Sequence, residues 1–249
     1  MSGHSKWATT KHKKAATDKA RGKLFAKLIR QVEVAAREGG GDLNSNATLR
    51  TMYAKARDAS VPSDTIERAI KRGTGELEGV RYEAATYEGY APAGVAVIVE
   101  CLTDNRNRTG ADVRTIFTRG GGSMAEPGSV SWQFERKGLV LLPRSVDEDQ
   151  LMLLVADAGA EDLADDGDSW RVTCAPTDLA RVRAVLEGAD LPIQSADLAM
   201  VPTTSVPLED LETARKVLRV IEALEDHDDV QQVWSNFDIP DAILEAVEA

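Results

Sequence analysis

The 249-residue sequence predicts an α+β fold: a helical N-terminal domain followed by two α/β domains, one inserted in the other. Three observations lead there. The first 78 residues place apolar side chains at helical spacing and contain a single proline, Pro62. The hydrophobic period changes to that of strands near Tyr82. Residues 138–202 then run through two strand–helix units in succession.

The first predicted helix spans Thr17 to Glu38, with its only glycine, Gly22, near the start and Gly39-Gly40-Gly41 as its stop. At about 100° per residue, Lys19, Lys23, Lys27, Arg30 and Arg37 fall in one sector roughly 80° wide. Leu24, Leu28, Val32 and Ala35, with Phe25, Ile29 and Ala36, fill the opposite side. One face is therefore expected to pack on partner helices while the other offers a row of cations. A second helix is predicted over Ala47 to Ala59, with Leu49, Met52, Tyr53 and Ala56 inward. Pro62-Ser63-Asp64 opens a third, with Ile66, Ala69 and Ile70 inward and Lys71 and Arg72 in its last turn, where cations suit the helix dipole. The glycines from Gly73 to Gly79 mark a linker, and a domain boundary is placed at about residue 78.

Tyr82 to Tyr90 alternates loosely, Pro92 to Gly94 turns the chain, and Val95 to Leu102 reads as a buried strand. Thr103-Asp104-Asn105 supplies capping chemistry for a helix over Thr109 to Arg119, ended by Gly120-Gly121-Gly122. Glu126 to Ser129 is a turn, and Trp132-Gln133-Phe134 is strand-like. Beyond it come a strand (Leu139 to Leu142), a helix (Asp147 to Ala158), two strands (Glu161 to Leu163 and Ser169 to Cys174), a helix (Thr177 to Leu186) and a strand (Ile193 to Met200). That β-α-β-β-α-β order is the ferredoxin-like sandwich. Pro202 and Pro207 bracket an exit linker. The helix Leu208 to Leu224 and the strand Val230 to Phe237 form no core by themselves, so they are expected to complete the β-β-α unit of residues 81–119. The predicted domains are thus 1–78, 79–137 together with 203–249, and the insert 138–202.

The net charge of −11 conceals a division. Residues 1–75 hold nine Lys and seven Arg against seven acids, a balance of +9, whereas the remaining residues balance at −20. Such asymmetry points to a polyanion-binding end. No apolar stretch reaches the length of a membrane span, and the N-terminus lacks the apolar core of a secretory signal. Cys101 and Cys174 lie far apart in strand-like runs and form no CxxC pair, which suits a reducing cytoplasm.

The densest cationic stretch is Lys6, Lys11, His12, Lys13 and Lys14. Phosphate neutralisation needs only such groups within reach of a nucleic-acid backbone. The solvated-tail reading is outweighed by continuation of the charge onto the helix through Lys19, Arg21, Lys23, Lys27 and Arg30. Trp7 suits either a core plug or a stacking ring. His4 and His12 sit among lysines that repel a divalent cation, and His227 lies in a run of acids read as a solvated edge, so no metal is expected. No P-loop, GxSxG or GxGxxG motif occurs, and no cofactor, small-molecule substrate or catalytic residue is assigned. At Asp104-Asn105-Arg106-Asn107-Arg108-Thr109 a buried strand meets a helix N-terminus. Arg106 and Arg108 there fit either a phosphate fork or a capped turn with solvated arginines.

These residues, with Gly3-His4-Ser5-Lys6-Trp7, Lys11-His12-Lys13, Arg21-Gly22-Lys23, Ile66 to Ile70, Tyr87-Glu88-Gly89-Tyr90, Val99 to Thr109, Glu126 to Trp132 and Phe134 to Gly138, resemble the YebC/PmpR family. The resemblance implies a helical N-terminal domain plus two α/β domains, and no enzyme. It implies a DNA-binding transcriptional regulator or, alternatively, a translation factor that binds the ribosome and relieves stalling at proline runs. Three motifs depart from the family: Thr9-Thr10 stands for Asn-Ile, Val61-Pro62-Ser63-Asp64 for Met-Pro-Lys-Asp, and Ala91-Pro92-Ala93-Gly94 for Gly-Pro-Gly-Gly. The expected partner is DNA or ribosomal RNA and tRNA. Two other classes stay open: an enzyme with a site near Asp104 to Thr109, and an adaptor acting through the acidic insert.

Overall fold

A computed structural model describes residues 18–248. Helices α1 (Asp18–Gly39), α2 (Ala47–Asp58) and α3 (Ser63–Thr74) form the N-terminal bundle. Its core joins Leu28, Val32, Ala35 and Ala36 of α1 to Leu49, Ala56, Ile66 and Ala69. The Asn46 side chain caps α2 by accepting from the Leu49 amide, and donates to the carbonyls of Ala35 and Gly40 at the end of α1. α1 and α3 cross where Gly73 brings its Cα against the α1 backbone. Gly75, at φ 84°, ends α3 in the left-handed region that favours glycine.

The middle unit follows. Strands β1 (Glu83–Ala91) and β2 (Val95–Thr103) form a hairpin in register from Glu83↔Thr103 to Ala91↔Val95. Its turn places Ala93 at φ 62°, an uncommon conformation for a residue with a Cβ, and Gly94 at φ 75°. After β2 come α4 (Arg106–Arg119) and β3 (Ser123–Ala125), which pairs with the outer side of β1. Far along the chain, α7 (Leu211–Glu225) and β9 (Val230–Ser235) return, and β9 pairs with β2 to give the order β3-β1-β2-β9. α4 and α7 cover one face of this sheet through Val113, Phe117, Val217, Val220, Ile221 and Leu224.

Between those parts lie β4 (Phe134–Pro143), α5 (Glu148–Asp157), β5 (Ala160–Asp165), β6 (Ser169–Cys174), α6 (Leu179–Gly188) and β7 (Ser195–Pro202). Their antiparallel order β5-β6-β4-β7 is the ferredoxin-like arrangement expected from the sequence. A separate core of Val140, Leu142, Leu151, Val155, Trp170, Val172, Val182 and Leu186 fills it. The two sheet units are joined by apolar packing of Ala96, Ile98, Val130 and Phe134 with Met200 and Trp234.

Four details differ from the sequence expectation. Trp132 and Gln133 belong to a short 3-10 turn (Ser131–Gln133), and the strand begins at Phe134. The strand expected to reach Phe237 breaks at Asn236, whose side-chain oxygen accepts from the Ala96 amide at 2.8 Å. Beyond the break, β10 (Phe237–Asp238) pairs in parallel with β8 (Val206–Pro207), so the expected linker carries a two-residue strand. A C-terminal helix, α8 (Asp241–Glu248), was not expected; Ile243, Leu244 and Val247 seat it on the middle core.

Candidate nucleic-acid interface

Lys6, Lys11, His12, Lys13 and Lys14, with His4 and Trp7, lie outside the described residues. Lys19 lies on the α1 backbone. Arg21 is exposed, with its guanidinium 5.4 Å from the centre of the Phe25 ring. The next three cations of the predicted row meet the body of the protein. Lys23 Nζ donates to the carbonyl of Asp226 at 3.1 Å and to its carboxylate at 3.0 Å. Lys27 Nζ donates to the carbonyl of Glu225 at 2.7 Å. Arg30 donates to the carbonyl of Asp228 at 2.6 Å and to Asp229 Oδ1 at 3.1 Å, and its guanidinium stands 5.1 Å from the centre of the Tyr82 ring.

This corrects the expected solvent-facing row. Lys23, Lys27 and Arg30 do share a face, but the face is docked on residues 225–229. The helical wheel fixes which side chains stand together and carries no information about what they meet. The docking has a local cause. Residues 225–229 run on from the last residue of α7, where carbonyls without intrahelical partners and the negative end of the dipole attract cations. Arg37, placed in the same sector from the sequence, instead pairs with Glu33 at 3.1 Å, and Glu33 also takes Arg72 at 2.9 Å. Glu33 is only 2% exposed, a buried carboxylate that the apolar pattern of α1 concealed. Leu24, expected inside, is 42% exposed, whereas its neighbour Phe25 packs against the bundle core. The acidic edge around His227 is solvated only in part: Asp226 and Asp228 are exposed, whereas Asp229 is buried, His227 Nε2 lies 3.3 Å from Asp112 and its Nδ1 accepts from the Asp229 amide.

The junction of β2 and α4 is built around Asp229. Asn105 caps α4 by accepting from the Arg108 amide at 3.1 Å. Arg108 donates to Asp104 at 2.7 Å and to Asp229 Oδ2 at 2.8 Å, while Thr109 and Thr103 hydroxyls donate to the same oxygen at 2.7 and 3.3 Å. Burial pushes the Asp229 carboxyl up. Hydrogen bonds from Arg108 and Thr109 and the charges of Arg108 and Arg30 outweigh it and hold the group below the ordinary carboxylate range. The protein's own carboxylate thus stands against the Arg108 fork, and the junction has the geometry of a capped turn. Arg106 remains 3.9 Å from Glu83, with its backbone carbonyl accepting from the Tyr87 hydroxyl. Cys101 is buried, and that burial pushes its thiol up to about 12.

Two further contacts tie the helical bundle to the insert: Lys55 of α2 pairs with Asp197 of β7, and Arg183 of α6 lies 3.6 Å from Asp58. What remains open on the bundle is a different set of cations. Arg50 and Arg57 lie on one face of α2. Arg50 donates to the carbonyls of Leu43 and Asn44, and Arg57 to the Ser63 hydroxyl. Neither makes an ion pair with a described residue, and Lys71 is exposed at the end of α3. Among the described residues, no group of three or more His, Cys, Asp or Glu is placed to hold a metal ion, and no helix is long and apolar enough to cross a membrane.

Residues 5–76 match the family description "TACO1/YebC protein N-terminal domain", and residues 82–237 match "TACO1/YebC second and third domain". The chain belongs to the TACO1/YebC family. Relatives named "probable transcriptional regulatory protein" include one from Acidothermus cellulolyticus, 61% identical over 99% of this chain and 100% of that one. Another, from Thermobifida fusca, is 57% identical over 98% of each chain. One from Halothermothrix orenii is 52% identical over 99% of each. The crystal structure of a conserved hypothetical protein from Aquifex aeolicus superposes with a TM-score of 0.83 at 46% identity, covering 90% of this chain and 93% of that one. The TACO1/YebC similarity therefore runs through both sheet units and beyond the motifs of the first 138 residues.

Proposed function

We propose that this TACO1/YebC protein is a non-enzymatic, cytoplasmic regulator of gene expression that binds nucleic acid, as a DNA-binding transcriptional regulator, through its N-terminal helical domain. One observation carries the reading: the domain holds the positive excess of the chain and exposes Arg21, Arg50, Arg57 and Lys71 without a carboxylate partner among the described residues. Lys6, Lys11, His12, Lys13, Lys14 and Lys19 extend that charge along the sequence. Such cations neutralise phosphates without reading bases, so affinity is expected to fall steeply with salt, by about 0.9 log units per log unit of salt for each phosphate contacted on duplex DNA. The names of the relatives agree with a regulatory role.

Fluorescence anisotropy with a labelled duplex of mixed sequence tests this. The double variants Lys13→Glu/Lys14→Glu and Arg50→Glu/Arg57→Glu are expected to weaken binding uniformly across sequences and to flatten the salt slope. Binding unchanged in both variants overturns the assignment to this domain. Sedimentation of cell lysate provides the second arm: co-migration with ribosomal subunits, abolished by Lys13→Glu/Lys14→Glu, overturns the transcriptional reading.

A further inference from the structure

The seam between the helical bundle and the rest of the protein is chemically unlike the other domain junction. The two sheet units share an apolar cluster, whereas among the described residues none of the apolar clusters mixes residues of the helical bundle with residues beyond Tyr82. Across the seam stand Lys23, Lys27 and Arg30 on residues 225–229, Gln31 on Gln231 at 3.3 Å, and the pairs Lys55–Asp197 and Arg183–Asp58. Contacts of this kind are weakened by salt and are open to competition by other anions. Residues 75–81 connect the bundle to β1, with Leu77 and Val80 exposed, so the connection itself is not packed into a core.

The groups that hold this seam on the α1 side are also groups that bind phosphates. Lys23, Lys27 and Arg30 are spaced i, i+4 and i+7 on one helix face, about 10 Å end to end at 1.5 Å per residue. They are met by main-chain carbonyls and carboxylates presented in sequence by residues 225–229, so the chain offers them a short row of oxygen acceptors. We propose that residues 225–229 act as an intramolecular mimic of a phosphodiester backbone. They occupy a polyanion site on α1, and a nucleic-acid strand displaces them and releases the bundle about residues 75–81. The inference rests on the nucleic-acid reading above and adds to it a second binding face and a coupling between binding and domain opening. By linkage, a change on the 225–229 side that weakens the internal contact strengthens polyanion binding, at most by the factor by which it raises the open population.

The test uses the full chain with dyes on Ala26→Cys and Ala111→Cys, both exposed positions, since Cys101 and Cys174 are buried. Asp226→Lys places a cation opposite Lys23 without touching α1, and the Asp226 side chain is 79% exposed, so the fold tolerates it. Asp226→Asn serves as the milder variant. The probe is a labelled mixed-sequence single strand and the corresponding duplex. The expected result is a longer inter-dye distance in Asp226→Lys, about three- to tenfold tighter binding with a steeper salt slope, and lengthening of the wild-type distance on adding the oligonucleotide. Salt-dependent binding of the wild type with no change in distance, and equal affinity for Asp226→Lys, overturns the latch and leaves the nucleic-acid reading standing. Absence of binding in both proteins overturns both.

Discussion

Arg30 and Asp229 lie 3.1 Å apart although one stands on the first helix of the N-terminal bundle and the other at the start of the last strand of the middle sheet. Asp229 is 4% exposed and also receives Arg108, Thr103 and Thr109, so a single carboxylate orders the β2–α4 junction and anchors α1. Removing it takes an acceptor from the buried Thr103 and Thr109 hydroxyls and from the part-buried Arg30, while Arg108, about half exposed, keeps Asp104.

Asp229→Ala is therefore expected to destabilise the middle unit by about 2 to 4 kcal/mol. Asp229→Asn keeps the shape and one acceptor, and the expected loss is smaller, about 1 to 3 kcal/mol. Urea unfolding followed separately by near-ultraviolet dichroism and by exchange of the β2 amides checks both. A loss within about 0.5 kcal/mol for the alanine variant contradicts the anchoring role.

Glu88 is another buried carboxylate with a structural task. It accepts from the amides of Gly128, Val130 and Ser131 at 2.7, 2.7 and 3.0 Å, fixing the loop that carries Trp132, a ring 70% exposed. Glu88→Gln turns one acceptor into a donor facing those amides. Hydrogen exchange at Gly128, Val130 and Ser131 is expected to accelerate at least tenfold, with a stability loss of about 1 to 3 kcal/mol.

Stability should fall in acid through these same two groups. For Glu88, burial pushes the carboxyl up, but the three loop amides prevail and leave it lowered; Asp229 is lowered by Arg108, Thr109 and Arg30 against its own burial. A carboxyl lowered in the folded state contributes stability that is fully present above its unfolded value, about 4, and is lost as pH falls through the folded value. Thermal unfolding from pH 6 to pH 3 is expected to decline below about pH 4.5. The double variant Glu88→Gln/Asp229→Asn is expected to flatten that decline.

The crossing of α1 and α3 depends on the absence of a side chain at Gly73. A Cβ there meets the Glu33 carbonyl and comes within 2.8 Å of Ala36 Cβ. Gly73→Ala is expected to destabilise the bundle by about 1 to 3 kcal/mol through overpacking. Gly22→Ala, in open space on α1, is the control and is expected to stabilise by about 0.5 to 1 kcal/mol. Helical unfolding monitored at 222 nm separates the two.

Local periodicity by itself determines much of this protein. The spacing of Leu28, Val32, Leu49 and Ile66 marked three amphipathic helices, and the alternation of strand and helix over residues 138–202 marked the ferredoxin-like insert, because backbone hydrogen bonding ties burial to a fixed period. The return of Val230 to the β2 edge was also legible, since a lone helix and strand have no core of their own. What faced the cations was not. Lys23 and Asp226 are 203 positions apart, and nothing in the run Glu225 to Asp229 distinguishes an acidic edge in water from one docked on a helix. No period marks Glu33, Glu88 or Asp229 as buried, yet the fold surrounds them with donors. The sequence determined which residues share a face; only tertiary structure decided which faces meet, because long-range charge pairing depends on where the chain returns and leaves no period behind.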